Sequence, residues 1–463
     1  MDSFTIDPKN LENSLTTTLN SEERGIKTAR IINSALSAVN PFSAVMNTLA
    51  KPDRLTGIPL KENSLPDFRQ IKVVGAGKAG QLMAEAVHEN FGAKIAAGIV
   101  IVKDGYTNNS ALLNNIKVVE AGHPLPDQRG VGAAQEIINL LSNSKAEDLV
   151  ICVFSGGGSA LLVSPVHGVS LVEIQQLTEL LLASGATINE INTLRKHLDR
   201  IKGGQLARIA SPARVLCLVL SDVVGDPLDV IASGPTVPDP STYQDALDIL
   251  DRYQIFDRVP SAIRSHLELG QRGEVDETPK PGEEFFSNVQ NFIVGSNQTA
   301  SQSAVVQAKN EGFNTLILTN YLEGEANQAG KFLGSILRQM ALNDQPIPRP
   351  ACIVVGGETT VTLNGDGMGG RNQELALGAV KELDGLEDVA LITLATDGGD
   401  GPSDAAGAVV TGSTFSRATS NNLDLEEYLS NNNSYNFFLP LGDLLITGPT
   451  MTNVNDLTFL FAF

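Results

Sequence analysis

Five short strings in this 463-residue chain bring glycine together with hydroxyl or charged residues: GAGKAG at 75–80, SGGGS at 155–159, SDVVGD at 221–226, GGET at 356–359 and TDGGDG at 396–401. Glycine-rich turns that open helices present backbone N–H groups to phosphate or carboxylate. Gly75, Gly77 and the run Ser155, Gly156, Gly157, Gly158, Ser159 therefore read as binding positions for an anionic substrate or nucleotide. Lys78 sits inside the first of these turns, where its cation suits a transferring phosphoryl group. GAGKAG also fits the dinucleotide fingerprint GxGxxG, with Asp104 about where a ribose ligand would stand, so a hydride-transferring reductase is the rival reading. The spacing is not that of a P-loop, and SGGGS is not the GxSxG of a nucleophile elbow.

Asp222 ends an apolar run. It could take the proton of a substrate hydroxyl or hold Mg²⁺; the plain alternative is a turn cap. Arg195 and Lys202 belong to a cation-dense stretch, NTLRKH followed by KGG, which reads either as an anion-binding face or as a solvated one. Glu358 follows two glycines and is taken as a further ligand contact. Arg371, also behind two glycines, opens a helix and suits a bidentate clamp on carboxylate or phosphate. Asp397 and Asp400 are candidates for Mg²⁺, which needs only one or two carboxylates when nucleotide phosphates complete its shell. His123, in AGHPLPD, reads as a loop cap, with a ligand contact as the alternative.

The elements that must carry these strings alternate. Apolar strand-like runs precede Gly75, Ser155, Ser221, Gly356 and Thr396, with helical patterns between them. The alternation predicts an α/β protein with a Rossmann-like, mostly parallel sheet, plus a second, smaller α/β domain with a mixed sheet and a cleft between the two. In such sheets ligands bind beyond the carboxyl ends of the strands, where all five strings fall. Residues 1–24 read as a polar lead-in, Ile26–Leu49 as helical, and Ile188–Ala210 as helices. A hairpin is expected around Gly356-Gly357, and a charged, aperiodic hinge over 270–290. The domains are accordingly placed at 1–285 and 286–463.

With 33 basic and 53 acidic residues the net charge is −20, which disfavours nucleic acid and anionic membrane as partners. No signal peptide and no membrane-spanning apolar run is visible. The three cysteines lie in apolar strand-like runs, as in a reduced, cytoplasmic protein. A homo-oligomer is compatible with all of this.

In order and spacing, GAGKAG, AGHPLPD, FSGGGSALL, INTLRKHLDRIKGGQLA, SDVVGDPLDVIASGPTVPD, GGETTVTL, GGRNQELAL, TDGGDGPSDAAGAVV and GDLLITGPTMTNVNDL resemble the glycerate 2-kinase family, whose C-terminal part is the MOFRL domain. The resemblance runs from about Thr28 to Ala462. It implies ATP- and Mg²⁺-dependent phosphorylation of the 2-hydroxyl of (R)-glycerate to 2-phosphoglycerate, with Lys78, Asp222 and Arg371 matching the family's catalytic Lys, Asp and Arg. Members are often labelled hydroxypyruvate reductases, so an NAD(P)H-dependent reductase stays as the alternative. A ligand sensor without catalysis would keep the glycine loops and lose these charges. Asp199 departs from the small polar residue of many relatives and is expected to tune substrate affinity.

Overall fold

The structure, a computed structural model, describes residues 16–19, 23–50, 68–107 and 113–463. Most of the expected lead-in lies outside the described residues. The helical pattern after it is two helices, Glu23–Ala38 and Pro41–Leu49, interrupted where Pro41 starts the second.

Pro41–Val294 forms one compact unit, and the described residues up to Asn40 join Gly295–Phe463 in the other. The first unit is built on strands β1 (Gln70–Ala76), β2 (Ile95–Lys103), β3 (Ile116–Ala121), β4 (Asp148–Phe154), β5 (Arg214–Leu220) and β6 (Val289–Gly295), in the order β3-β2-β1-β4-β5-β6. β1 pairs in parallel with both β2 and β4, and the β2–β3 and β4–β5 pairs are also parallel. β4 is buried at all seven positions, which is why it reads as a continuous apolar run rather than an alternating one. The order reverses between β1 and β4, and that switch point is where GAGKAG and SGGGS emerge side by side.

The second unit holds β7 (Asn314–Leu322), β8 (Ala351–Gly357), β9 (Val389–Ala395), β10 (Gly407–Thr411), β11 (Leu444–Leu445) and β12 (Asp456–Ala462), ordered β11-β10-β9-β12-β8-β7. Only β7 and β8 pair in parallel; β12 runs antiparallel between β8 and β9. The sheet is mixed, as expected.

Four sequence expectations need correction. Gly356-Gly357 is no hairpin turn: both residues end β8, where a Cβ on Gly356 would strike Asn297 and one on Gly357 would strike the Leu322 backbone. The helical stretch 188–210 breaks into Ile188–His197 and Gln205–Ala210 around Gly203 and Gly204, both at positive φ. The segment 270–290 is no hinge. Glu277 hydrogen-bonds His197 at 2.9 Å, Thr278 donates to buried Asp239 at 3.0 Å, and the chain continues into β6 of the first sheet. Set against the expected division at 285/286, the two units part at 294/295. The helix Glu23–Ala38 joins the C-terminal unit because it packs on helix Asn297–Asn310, where Ser34 and Ser303 hydroxyls lie 2.9 Å apart.

Candidate functional site

In the first unit the two glycine loops differ in what their backbone can do. The N–H groups of GAGKAG are consumed internally: Gly77 donates to Ile101, Lys78 to Gly156, Ala79 to the Ser155 hydroxyl and Gly80 to Gly77. Its glycines are required by packing. A Cβ on Gly75 would lie 2.1 Å from the Val153 carbonyl, and one on Gly77 would lie 2.2 Å from Ser155 Oγ. The reading of Gly75 and Gly77 as anion donors is therefore corrected. They let β1 and its loop approach β4, and what this loop offers a ligand is the Lys78 side chain.

SGGGS is the anion nest. Ser155 donates to Ala76 and Gly158 to Ser155, while the N–H groups of Gly156, Gly157 and Ser159 have no acceptor among the described residues. Gly157 adopts φ +84, which only glycine takes readily, and the ring of His123 packs where its Cβ would be, at 2.8 Å. Burial first, then the charges of Lys78 and Lys103, push the His123 pKa down to about 4. His123 is thus a neutral wall of the site close to Lys78, more than the loop cap expected from sequence. Asp222 follows β5 by two residues, one strand over from β4.

The cation-dense stretch separates into different roles. Lys202 is buried, donating to Asp199 at 2.7 Å and to the Leu162 carbonyl at 2.6 Å. Asp199 also accepts from the N–H groups of Ser164 and Ile201. Burial lowers the Lys202 pKa, and Asp199 works against that. Lys202 is thus corrected from ligand contact to structural cation, and Asp199 from tuning charge to its counter-ion. Lys196 pairs with Asp239 and Asp229. Arg195 has no hydrogen-bond or ion-pair partner among the described residues. Gly203 and Gly204 donate to the carbonyls of Ser233 and Gly234, pinning a left-handed turn through Ala232, Ser233 and Gly234. The Ser233 hydroxyl bridges Asn192 at 3.0 Å and Ser159 at 2.7 Å. Asn192 and Ser233 were not singled out from sequence; in both cases the signal is proximity in space.

The second unit gathers Glu358, Arg371, Asp397 and Asp400 around the start of β12. Asp456, the first residue of that strand, lies opposite Gly357 on one side and Ala395 on the other. It takes both arms of Arg371, from Nε at 2.5 Å and Nη2 at 3.0 Å, and Glu358 lies 3.1 Å from Nη1. Burial works against the Arg371 charge, but the Asp456 carboxylate outweighs it and raises the pKa. Arg371 is therefore not an open clamp. It is held by Asp456, a residue sequence reasoning missed because β12 carries no glycine-rich signal. Asp400 is buried and accepts from the N–H groups of Asn372 at 3.1 Å and Gln373 at 2.8 Å, capping helix Arg371–Ala379. Its burial raises its pKa to about 6, and the cap bonds oppose that. Asp400 is corrected from metal ligand to helix cap, while Asp397 stands half-buried beyond β9. No cluster of three or more His, Cys, Asp or Glu among the described residues is arranged to hold a metal.

A doubly wound sheet with an anion nest, a lysine and a carboxylate at its switch point, joined to a mixed-sheet unit with an arginine–carboxylate group, defines a small-molecule enzyme that handles anionic groups. Comparison with known proteins agrees. Residues 27–268 match a domain of unknown function (DUF4147), and residues 351–456 match the MOFRL family. The chain is 44% identical to a D-glycerate 2-kinase of Thermotoga maritima and 42% identical to a glycerate 2-kinase of Pyrococcus horikoshii, each over 92% of this chain and 95% of the relative. The crystal structure of a Thermotoga maritima glycerate kinase superimposes with a TM-score of 0.84 at 42% identity, covering 94% of this chain and 98% of that one. The chain belongs to the MOFRL-type glycerate kinase family.

Proposed function

We propose that this protein is an ATP-dependent glycerate 2-kinase that converts (R)-glycerate and ATP into 2-phosphoglycerate and ADP. The observation that carries the reading is Lys78 beside a nest of unengaged N–H groups at the sheet's switch point. The 2-hydroxyl oxygen attacks the γ-phosphorus as its bond to the leaving ADP oxygen breaks. Asp222 takes the hydroxyl proton, and Lys78 and the Gly156, Gly157 and Ser159 N–H groups balance charge on the phosphoryl oxygens. In the second unit, Arg371, oriented by Asp456 with Glu358 beside it, is a further cation for an anionic group. Mg²⁺ would supply charge neutralisation on nucleotide phosphates; of the two carboxylates named from sequence, Asp397 would be the one to hold it, since Asp400 caps helix Arg371–Ala379.

Two features speak against the NAD(P)H-dependent hydroxypyruvate reductase reading. The GAGKAG N–H groups that a dinucleotide pyrophosphate would need are spent on Ile101, Gly156, Ser155 and Gly77. Asp104, where a ribose ligand would stand, is locked to Arg129 by two bonds of 2.7 and 2.8 Å. Among the described residues no helix is long and apolar enough to cross a membrane, and Cys152, Cys217 and Cys352 are buried free thiols, which supports a cytoplasmic setting.

The test is Lys78→Ala. Its kcat is expected to fall on the order of 10²–10³-fold, with KM for glycerate changed far less. A near-normal kcat would reduce Lys78 to a turn residue.

A further inference from the structure

We propose that Arg195 and Asn192 form the carboxylate-recognition subsite for the acid substrate, with Ser159 accepting a hydrogen bond from one of its hydroxyls. The proposal rests on the kinase reading of the same site and adds which atoms read the acceptor rather than the nucleotide.

Arg195 differs from the buried lysines of this unit. Lys72 donates to the Leu140 carbonyl and to Ser144, Lys196 pairs with Asp239, and Lys202 pairs with Asp199. Arg195 has no such partner among the described residues. Burial depresses its pKa, with no carboxylate acting in the other direction. The charge it acts on is the neighbouring Lys202, of like sign and already neutralised by Asp199. A guanidinium held partly out of water without a counter-ion is costly unless a ligand brings the negative charge.

Asn192 stands one helical turn before Arg195, on the same face of Ile188–His197. It is 3% exposed. Its Oδ1 is taken by the Ser233 hydroxyl, and its Nδ2 has no acceptor among the described residues. Two donors, one charged and one neutral, are thus left together on one helix face.

The polarity of the adjoining chain of hydroxyls separates the two substrates. Ser233 has one proton and gives it to Asn192 Oδ1. The 2.7 Å contact between the Ser159 and Ser233 hydroxyls must then use the proton of Ser159. That leaves Ser159 Oγ with only lone pairs to offer a ligand. The triphosphate group of a nucleotide has no proton to give it at neutral pH, whereas a hydroxy acid brings both a carboxylate for the guanidinium fork and a hydroxyl donor. The relay is built at a conformational cost: Ala232 and Ser233 sit at φ 51 and 59, a region that non-glycine residues adopt at some cost.

The experiment is direct binding of glycerate and of ADP by calorimetry, alongside KM values, for wild type, Arg195→Met and Asn192→Asp. Arg195→Met is expected to weaken glycerate binding about 100-fold, as when one partner of a buried charge pair is lost. ADP binding and KM for ATP are expected to stay within about twofold. The preference for glycerate over uncharged glyceramide should collapse, and free guanidinium should restore part of the activity. Asn192→Asp gives Arg195 an internal partner, so it should lose glycerate affinity while remaining folded. Without substrate, Arg195→Met should melt at or above the wild-type temperature, because an unpaired charge has been removed. Loss of ADP affinity with normal glycerate binding would overturn the proposal in favour of a phosphate subsite. Normal glycerate binding in Asn192→Asp, together with a destabilised Arg195→Met, would overturn it in favour of a structural role. If wild type binds glycerate through Arg195 yet transfers no phosphoryl group to it, the subsite stands and the kinase reading fails.

Discussion

Arg371 and Asp456 show how a single contact changes the meaning of a residue. From sequence, Arg371 is an anion clamp; in the structure two of its nitrogens are fixed on one carboxylate. A lysine retains the charge but cannot satisfy both oxygens of Asp456. Arg371→Lys is therefore expected to lose nearly as much kcat/KM as Arg371→Ala, on the order of 100-fold, because misplacement of a charge by an ångström costs that much. Asp456→Asn should approach the same loss with Arg371 intact. Steady-state kinetics on the three variants checks this, and full activity in Arg371→Lys would remove the orienting role. Lys202 makes the converse point. Its ion pair with Asp199 is buried, so Lys202→Ala should destabilise the fold by about 3–5 kcal/mol, read by denaturant unfolding. Activity should be lost through unfolding, with KM for glycerate little changed in the molecules that remain folded. The residue types at all these positions are visible in the sequence. Which cation is neutralised internally and which is left for a ligand depends largely on contacts between segments tens of residues apart, as between Lys196 and Asp239.

At the scale of elements, the strand ends carrying glycine, hydroxyl and charge are readable, because a parallel strand buried on both faces is a continuous apolar run with an abrupt polar end. Which glycine loop binds is not readable. GAGKAG and SGGGS look alike until β1 and β4 lie side by side, and then one loop spends its N–H groups on the other. β12 escapes notice for another reason: Asp456–Ala462 has no turn signal of its own, yet it is a central strand of its sheet and begins with the carboxylate that holds Arg371. Helix Arg371–Ala379 leads to a pH prediction. Burial raises Glu374 to about 7 and Asp400 to about 6, both above their unfolded values. Between those limits the folded state binds more protons than the unfolded one, so stability falls as pH rises from about 4.5 through 7. Glu277, held to about 2 by His197 despite its burial, opposes that slope only near the ordinary Glu value, where its unfolded carboxyl protonates, and adds none above about pH 5.5. The melting temperature of the C-terminal unit should be higher near pH 5.5 than near pH 8, and Glu374→Gln should flatten the difference. A stability that rises over this range, or a slope unchanged in Glu374→Gln, would contradict the assignment.

For the whole molecule, the net charge of −20 argues against polyanionic partners, yet Lys78 flanks the anion nest and Arg195 lies one helical turn from Asn192, which Ser233 links to Ser159 of that nest. Local cations in an acidic chain favour small anions over polymers, since the global field repels the latter at range. The two-unit organisation was anticipated. The boundary was not, because 270–290 has the composition of a linker while its polar side chains find partners on the first unit, and helix Glu23–Ala38 belongs to the second. The most direct test of the central claim is to incubate the purified protein with (R)-glycerate and Mg²⁺-ATP and identify the product by phosphorus NMR, with NADH, NADPH and hydroxypyruvate in a parallel reaction. The expected result is ADP and 2-phosphoglycerate in equal amounts, with no oxidation of reduced nicotinamide. Formation of 3-phosphoglycerate, or nicotinamide oxidation without any ADP from glycerate, would contradict it.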